Sequence, residues 1–214
     1  MKTKKLLFYL LAGLLGSCVP SLHPLYTDKE LVFEAKLLGS WGEDDEVWEF
    51  KKGQEEKSYD LITNEEGKKG EFTVYLVKIQ ESPKTDQEKQ IARQPLLFLD
   101  LYPKEPPLET NDFYKFHLLP VHTFIKIEQI EPTLKMRVMN PDKLKEILED
   151  RPDLIKHEIL EDRIVLTAST KQLQKFMLKH AEDEGLFGEP TTLERAGAKD
   201  AEESKETTKD KPAE

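Results

Sequence analysis

Cysteine occurs once in the chain, at Cys18, so no intramolecular disulfide can staple the fold, which must rest on burial and hydrogen bonding. Long apolar runs are also scarce. The run Leu6–Gly16 is too short to cross, as a helix rising 1.5 Å per residue, a hydrocarbon core about 30 Å thick. Basic residues are outnumbered, with 32 Lys and Arg against 42 Asp and Glu, a balance that repels phosphate backbones and argues against nucleic-acid binding. The sequence also lacks a nucleophile elbow, a phosphate-cradling glycine loop, a zinc-type cysteine spacing and a dinucleotide fingerprint. No named enzyme class is indicated, and no metal site is expected.

What is present begins with Met1–Lys5, a short basic patch ahead of the apolar run. A basic start followed by an apolar core of this length is the pattern of an export signal. The next residues are Leu15-Gly16-Ser17-Cys18: a branched apolar residue, two small ones, then the lone cysteine. This string resembles the lipobox of bacterial lipoproteins. The resemblance implies cleavage between Ser17 and Cys18, a diacylglycerol thioether on the Cys18 thiol and acylation, palmitate or similar, of the new amine. No other cofactor is expected. Loss of Lys2, Lys4 and Lys5 with the signal takes the formal charge from −10 to −13 on the mature chain. Two or three acyl chains at ~0.8 kcal/mol per buried CH₂ anchor a hydrophilic body durably. Val19, rather than aspartate, follows the cysteine, which by analogy with enteric lipoproteins points to the periplasmic face of the outer membrane if the cell is Gram-negative.

Residues 18–36 read as the lipidated N-terminus and a tether, with Pro20 and Pro24 and no periodicity between them. Thr27 and Glu30 have capping-box spacing, yet Leu31–Glu34 reads equally well as extended. Residues 37–196 read as one β-rich domain. Trp48 and Phe50 alternate with charged residues, Tyr59 and Leu61 flank Asp60, and Asn64–Gly70 reads as a turn. Phe72–Val77 and Leu96–Tyr102 follow as strands, separated by a polar stretch at 82–94 expected as a long exposed loop. Phe113–Leu119, Val121–Ile130 and Leu134–Met139 read as further strands, with a bend at Pro120. Asn140-Pro141 opens a helix with the stripe Leu144, Ile147 and Leu148, stopped at Pro152. Ser169 and Gln172 open a second that buries Leu173, Phe176 and Met177, and a hairpin turning at Glu161-Asp162 lies between the two. From 197 the composition is too polar to offset its own ordering entropy, so 197–214 reads as a disordered charged tail.

Gly39-Ser40-Trp41, preceded by a possible helical turn at Glu34–Leu38, resembles the G-x-W signature at the start of the lipocalin barrel. There the tryptophan packs across the closed end, and the cavity carries small hydrophobic ligands. The expected fold is therefore mainly β with two helices (α+β), as an antiparallel lipocalin-like barrel or a strongly curved sheet.

Trp41, Trp48, Phe50, Tyr75, Phe98, Phe116 and Phe124 either line a pocket or fill the core, since a small β domain needs such residues for both purposes. His117 and His122 are close in sequence, but their odd separation along a strand puts them on opposite faces, so ordinary surface or cross-strand histidines are expected. Asp100, Asp112 and Glu128 are candidate acid/base carboxylates in a chain rich in accidental ones. The functional expectation is a membrane-anchored, non-enzymatic module for a small lipophilic ligand. The alternatives are an envelope lipoprotein that meets a protein partner, and a hydrolase of unknown substrate.

Overall fold

A computed structural model describes residues 18–43, 46–65, 67–81, 94–105, 110–161 and 163–196. The signal 1–17, most of the expected loop at 82–94 and the tail 197–214 lie outside the described residues. Among the described residues the chain is mainly β with three α-helices, built on a large, curved, mixed sheet.

Six strands form an antiparallel meander: β3 (Gly39–Glu43), β4 (Glu46–Lys52), β5 (Ser58–Glu65), β6 (Lys68–Ile79), β7 (Leu96–Pro103) and β8 (His122–Gln129). β9 (Leu134–Val138) pairs with β8, and β12 (Thr191–Leu193) pairs with β9. On the outer side of β8 the order continues through β1 (Pro20–Ser21), β11 (Arg163–Leu166) and β10 (His157–Leu160), β1 and β11 being parallel. β2 (Leu31–Val32) lies against β6. The turn between β5 and β6 is tighter than Asn64–Gly70, because Gly67 takes a φ of 76° that lets both strands run almost to the bend.

Period-two alternation places the two sets of side chains of one sheet into two cores. Val74, Leu76, Leu99, Leu101, Ile125 and Ile127 point into the concave side with Trp41, Phe50, Tyr59 and Leu61. Their neighbours Tyr75, Val77, Phe98 and Phe124 point the other way, under a layer formed by α2 (Pro141–Asp150), α3 (Thr170–His180), β1 and the β10–β11 hairpin. α2 starts as its sequence requires, the Asn140 carbonyl oxygen of the side chain accepting from the Asp142 and Lys143 N–H groups at 3.0 and 3.2 Å. At α3 the Gln172 side chain accepts from the Ser169 N–H at 3.1 Å. Among the described residues no helix is long and apolar enough to cross a membrane.

Three further expectations change. Residues 19–26 are no tether: Val19 and Leu25 are buried in the outer core and Pro20–Ser21 is a strand, so this segment is part of the folded body. The prolines there sit where extended backbone is wanted, which reads from sequence as a linker. Phe113–Leu119 is not a strand but contains a third helix, α1 (Asp112–Lys115), begun by Asn111 accepting from the Tyr114 N–H at 2.8 Å. Phe116 consequently leaves the expected core and is 85% exposed, since among the described residues this segment pairs with no strand that would cover it. The other six aromatics placed in a pocket or core are inside, Trp48 partly.

Candidate functional site

β7 and β8 bring together two residues that the sequence places 22 apart. His122, at the first position of β8, and Asp100, in β7, project to the outer face, where Asp100 is fully buried. Nδ1 of His122 is 2.7 Å from Oδ1 of Asp100, and the other carboxylate oxygen accepts from the Leu25 N–H at 2.7 Å. Burial pushes the Asp100 carboxyl up, opposed by the hydrogen bond and charge of His122 and by the Leu25 N–H. With Nδ1 committed to Asp100, Nε2 is the ring nitrogen left for a ligand, accepting or donating according to which partner holds the proton.

This pair backs a cleft of about 730 Å³ between the outer face of the sheet and the N-terminal segment. Its walls are Tyr26, Tyr75 and Tyr102, with Glu55, Asp60 and Lys104 among the polar groups. The Tyr26 and Tyr75 rings lie 4.6 Å apart, and Tyr102 packs on the His122 ring at 4.7 Å. The Tyr75 hydroxyl donates to the Glu55 carboxylate. Burial, then the charges of Asp100 and Glu55, pushes Tyr26 up to about 12, while burial and the Glu55 bond push Tyr75 up as well. Both phenols therefore stay protonated at neutral pH as O–H groups. Lys104 is matched to Asp60 at 2.8 Å, which leaves Glu55 to give the cleft a negative side.

Such a site can hold hydroxyl or amine groups by hydrogen bonds while an apolar portion lies on the tyrosine rings. Ser58, the serine on its wall, donates to the Glu55 backbone carbonyl at 2.8 Å.

The other candidates separate. His117 follows α1 and packs edge-on to Phe113 and Phe116, far in role from His122. Glu128 is held by Lys135 and Arg137, whose bonds and charges keep it below the usual carboxylate range despite some burial. Asp112 sits in the first turn of α1. No carboxylate pair forms from Asp100, Asp112 and Glu128, and among the described residues no group of three or more His, Cys, Asp or Glu side chains is arranged for a metal ion. Of the seven aromatics expected in a pocket or core, Tyr75 lines this cleft, while Trp41 and Phe50 fill the concave core. Tyr26, Tyr102 and Glu55 carry no sequence signal, because their meeting depends on three chain segments converging. No family model, curated protein or solved structure matches the chain.

Proposed function

We propose that the protein is a bacterial lipoprotein, anchored by acyl chains on Cys18, whose domain binds a small amphipathic ligand carrying hydroxyl or amine groups. The observation that carries the binding reading is the tyrosine-walled cleft backed by the fixed His122 ring. The anchor rests on the Leu15–Cys18 string and places the protein, after export, on a cell membrane, the outer membrane's periplasmic face in a Gram-negative cell. Cys18 is half-buried and stands two residues before the first strand, which suits a first residue that fixes the body close to the bilayer.

The domain reads as a lipocalin-like barrel. Gly39 and Trp41 lie in β3, and Trp41 is fully buried. The Gly42 N–H donates to the Glu194 carbonyl at 2.8 Å and the Ala196 N–H to the Ser40 carbonyl at 2.9 Å, joining the first strand of the meander to the segment after β12. Large side chains occupy the concave core, including Trp41, Phe50 and Tyr59, so the ligand is assigned to the outer cleft and its chemistry to the polar side of amphipathic. The test is a melting-temperature series on the full chain with a polyamine, an amino sugar and a medium-chain alcohol. A saturable rise with one of them, lost in Tyr102→Ala, is expected. No shift across the panel, or a shift that Tyr102→Ala leaves intact, contradicts the reading.

A protein partner is the second reading, and one feature favours it. Phe113, Phe116 and Leu119 are 76%, 85% and 71% exposed on the connection between β7 and β8. Apolar side chains gathered this way on a soluble surface mark an interaction site. Lys115 reaches Glu105 on the cleft rim at 4.0 Å, so this surface adjoins the cleft.

A further inference from the structure

A second cleft, of about 580 Å³, lies between α3 and the segment leading into β10. We infer that it binds a small carboxylate or phosphate ester with an apolar part, independently of the tyrosine-walled site. One wall is a single face of α3, where Gln172, Lys175, Phe176, Lys179 and His180 recur at helical spacing. The facing wall includes Ile155, Lys156 and His157.

Charge points to an anion. Lys156, Lys175 and Lys179 make no ion pair among the described residues, whereas Lys104, Lys126, Lys135 and Lys143 are each matched to a carboxylate. Three unmatched ammonium groups around one cleft, in a chain of net charge −10, form a local positive field that the Asp153 and Glu158 carboxylates on the same lining only partly offset. The floor supplies the apolar part, since Ile155 and Phe176 are buried.

The histidines give the independent observation. His180 is 5% exposed and its ring forms part of the cleft. Its Nδ1 is held by Asp183 at 2.6 Å, while its Nε2 is buried without a hydrogen-bond partner. A polar atom left in that state is unfavourable and is relieved by a bound group. His157 is held in the same way, Nδ1 to the Ile155 carbonyl at 2.9 Å. Two imidazoles oriented through Nδ1 resemble half of a metal site. The described residues provide no set of three ligands, however, and the surrounding lysines repel a divalent cation. An acid whose charge meets the lysines and whose polar groups reach the histidines fits both sets of residues.

The test uses the full chain, purified from membranes in a non-ionic detergent, titrated with hexanoate, inorganic phosphate and hexanol while the His157 and His180 ring signals are followed by NMR. Hexanoate, phosphate or both should move these signals saturably; hexanol should not. Lys175→Gln with Lys179→Gln should weaken that binding at least tenfold, while Lys52→Gln with Lys69→Gln, which removes two charges elsewhere, should change it less than twofold. A second arm places the lipidated chain in phosphatidylcholine vesicles with or without phosphatidylglycerol. Shifts that need phosphatidylglycerol identify the anion as a lipid headgroup, and shifts with the free probes alone identify a soluble ligand. Absence of a saturable response to every anion, or equal binding by the α3 variant and wild type, overturns the inference. Because Tyr102 is not involved, its substitution should leave these titrations unchanged, which separates this result from that of the other cleft.

Discussion

The guanidinium of Arg195 lies 4.2 Å from the centre of the Trp41 ring, close enough for a cation–π interaction. Its nitrogens donate to the Leu38 and Lys36 carbonyls at 3.0 and 2.7 Å, so one side chain near the end of the described chain clamps the segment that opens the meander. Gly39 makes room for it: a Cβ there would stand 2.7 Å from the Arg195 Nη1, and the φ of 113° is itself unsuited to other residues. Trp41 completes the arrangement by donating its indole N–H to the Leu37 carbonyl at 2.9 Å.

Arg195→Ala should therefore destabilise the domain by about 2 kcal/mol, through the lost ring contact and the carbonyls left to water. Gly39→Ala should cost about as much through strain and displacement of the same guanidinium. Urea unfolding of both single variants and the double variant measures this. Strict additivity would contradict the shared cause, because residues in contact are expected to couple.

The buried carboxylate predicts a pH dependence of unusual sign. Asp100 has a raised folded-state value, so the folded chain holds this proton more tightly than the unfolded one, whose ordinary value is 3.8. Its contribution to stability is present in full below that value and is lost as pH rises through the raised one. Asp100→Asn keeps an acceptor for the Leu25 N–H but cannot ionise, so its stability should fall less than that of wild type as pH is raised from 4. Parallel urea-midpoint profiles would contradict this. Asp100→Ala, which strands both the Leu25 N–H and His122, should cost about 3 kcal/mol.

Exposure separates binding from stability on the β7–β8 connection. Phe116→Ser removes a side chain that is 85% exposed and should change unfolding free energy by less than about 0.5 kcal/mol. Crosslinking in native membranes should, on the protein-partner reading, lose a neighbour recovered with wild type. An unchanged crosslinking pattern counts against that reading.

Much of the fold was legible because its signals are local. Alternation in β4 and β5 and the doubly apolar runs of β6–β8 report strands, and Asn140-Pro141 and Ser169–Gln172 mark helix starts by chemistry confined to a single turn. The failures have a shared cause. Phe113–Leu119 is apolar enough for a strand, yet strand formation needs a partner, and Asn111 captures the local backbone into a turn first. Val19–Leu25 reads as linker because its stabilisation comes from β8, β11 and Asp100, all distant in sequence. The cleft is illegible for the same reason: in sequence His122 stands near His117, five residues away, while its partner Asp100 is 22 residues off. Only the register of β7 on β8 brings them together, with Asp100 opposite Phe124.

Everything about place depends on chemistry at Cys18, and mass spectrometry of the intact protein purified from cell membranes tests it most directly. The account predicts a chain that begins at Cys18, carries the mass of a diacylglycerol and an N-acyl group, and loses both the added mass and its membrane association in Cys18→Ala. A chain that retains residues 1–17, or one cut elsewhere with no acyl mass, would contradict it.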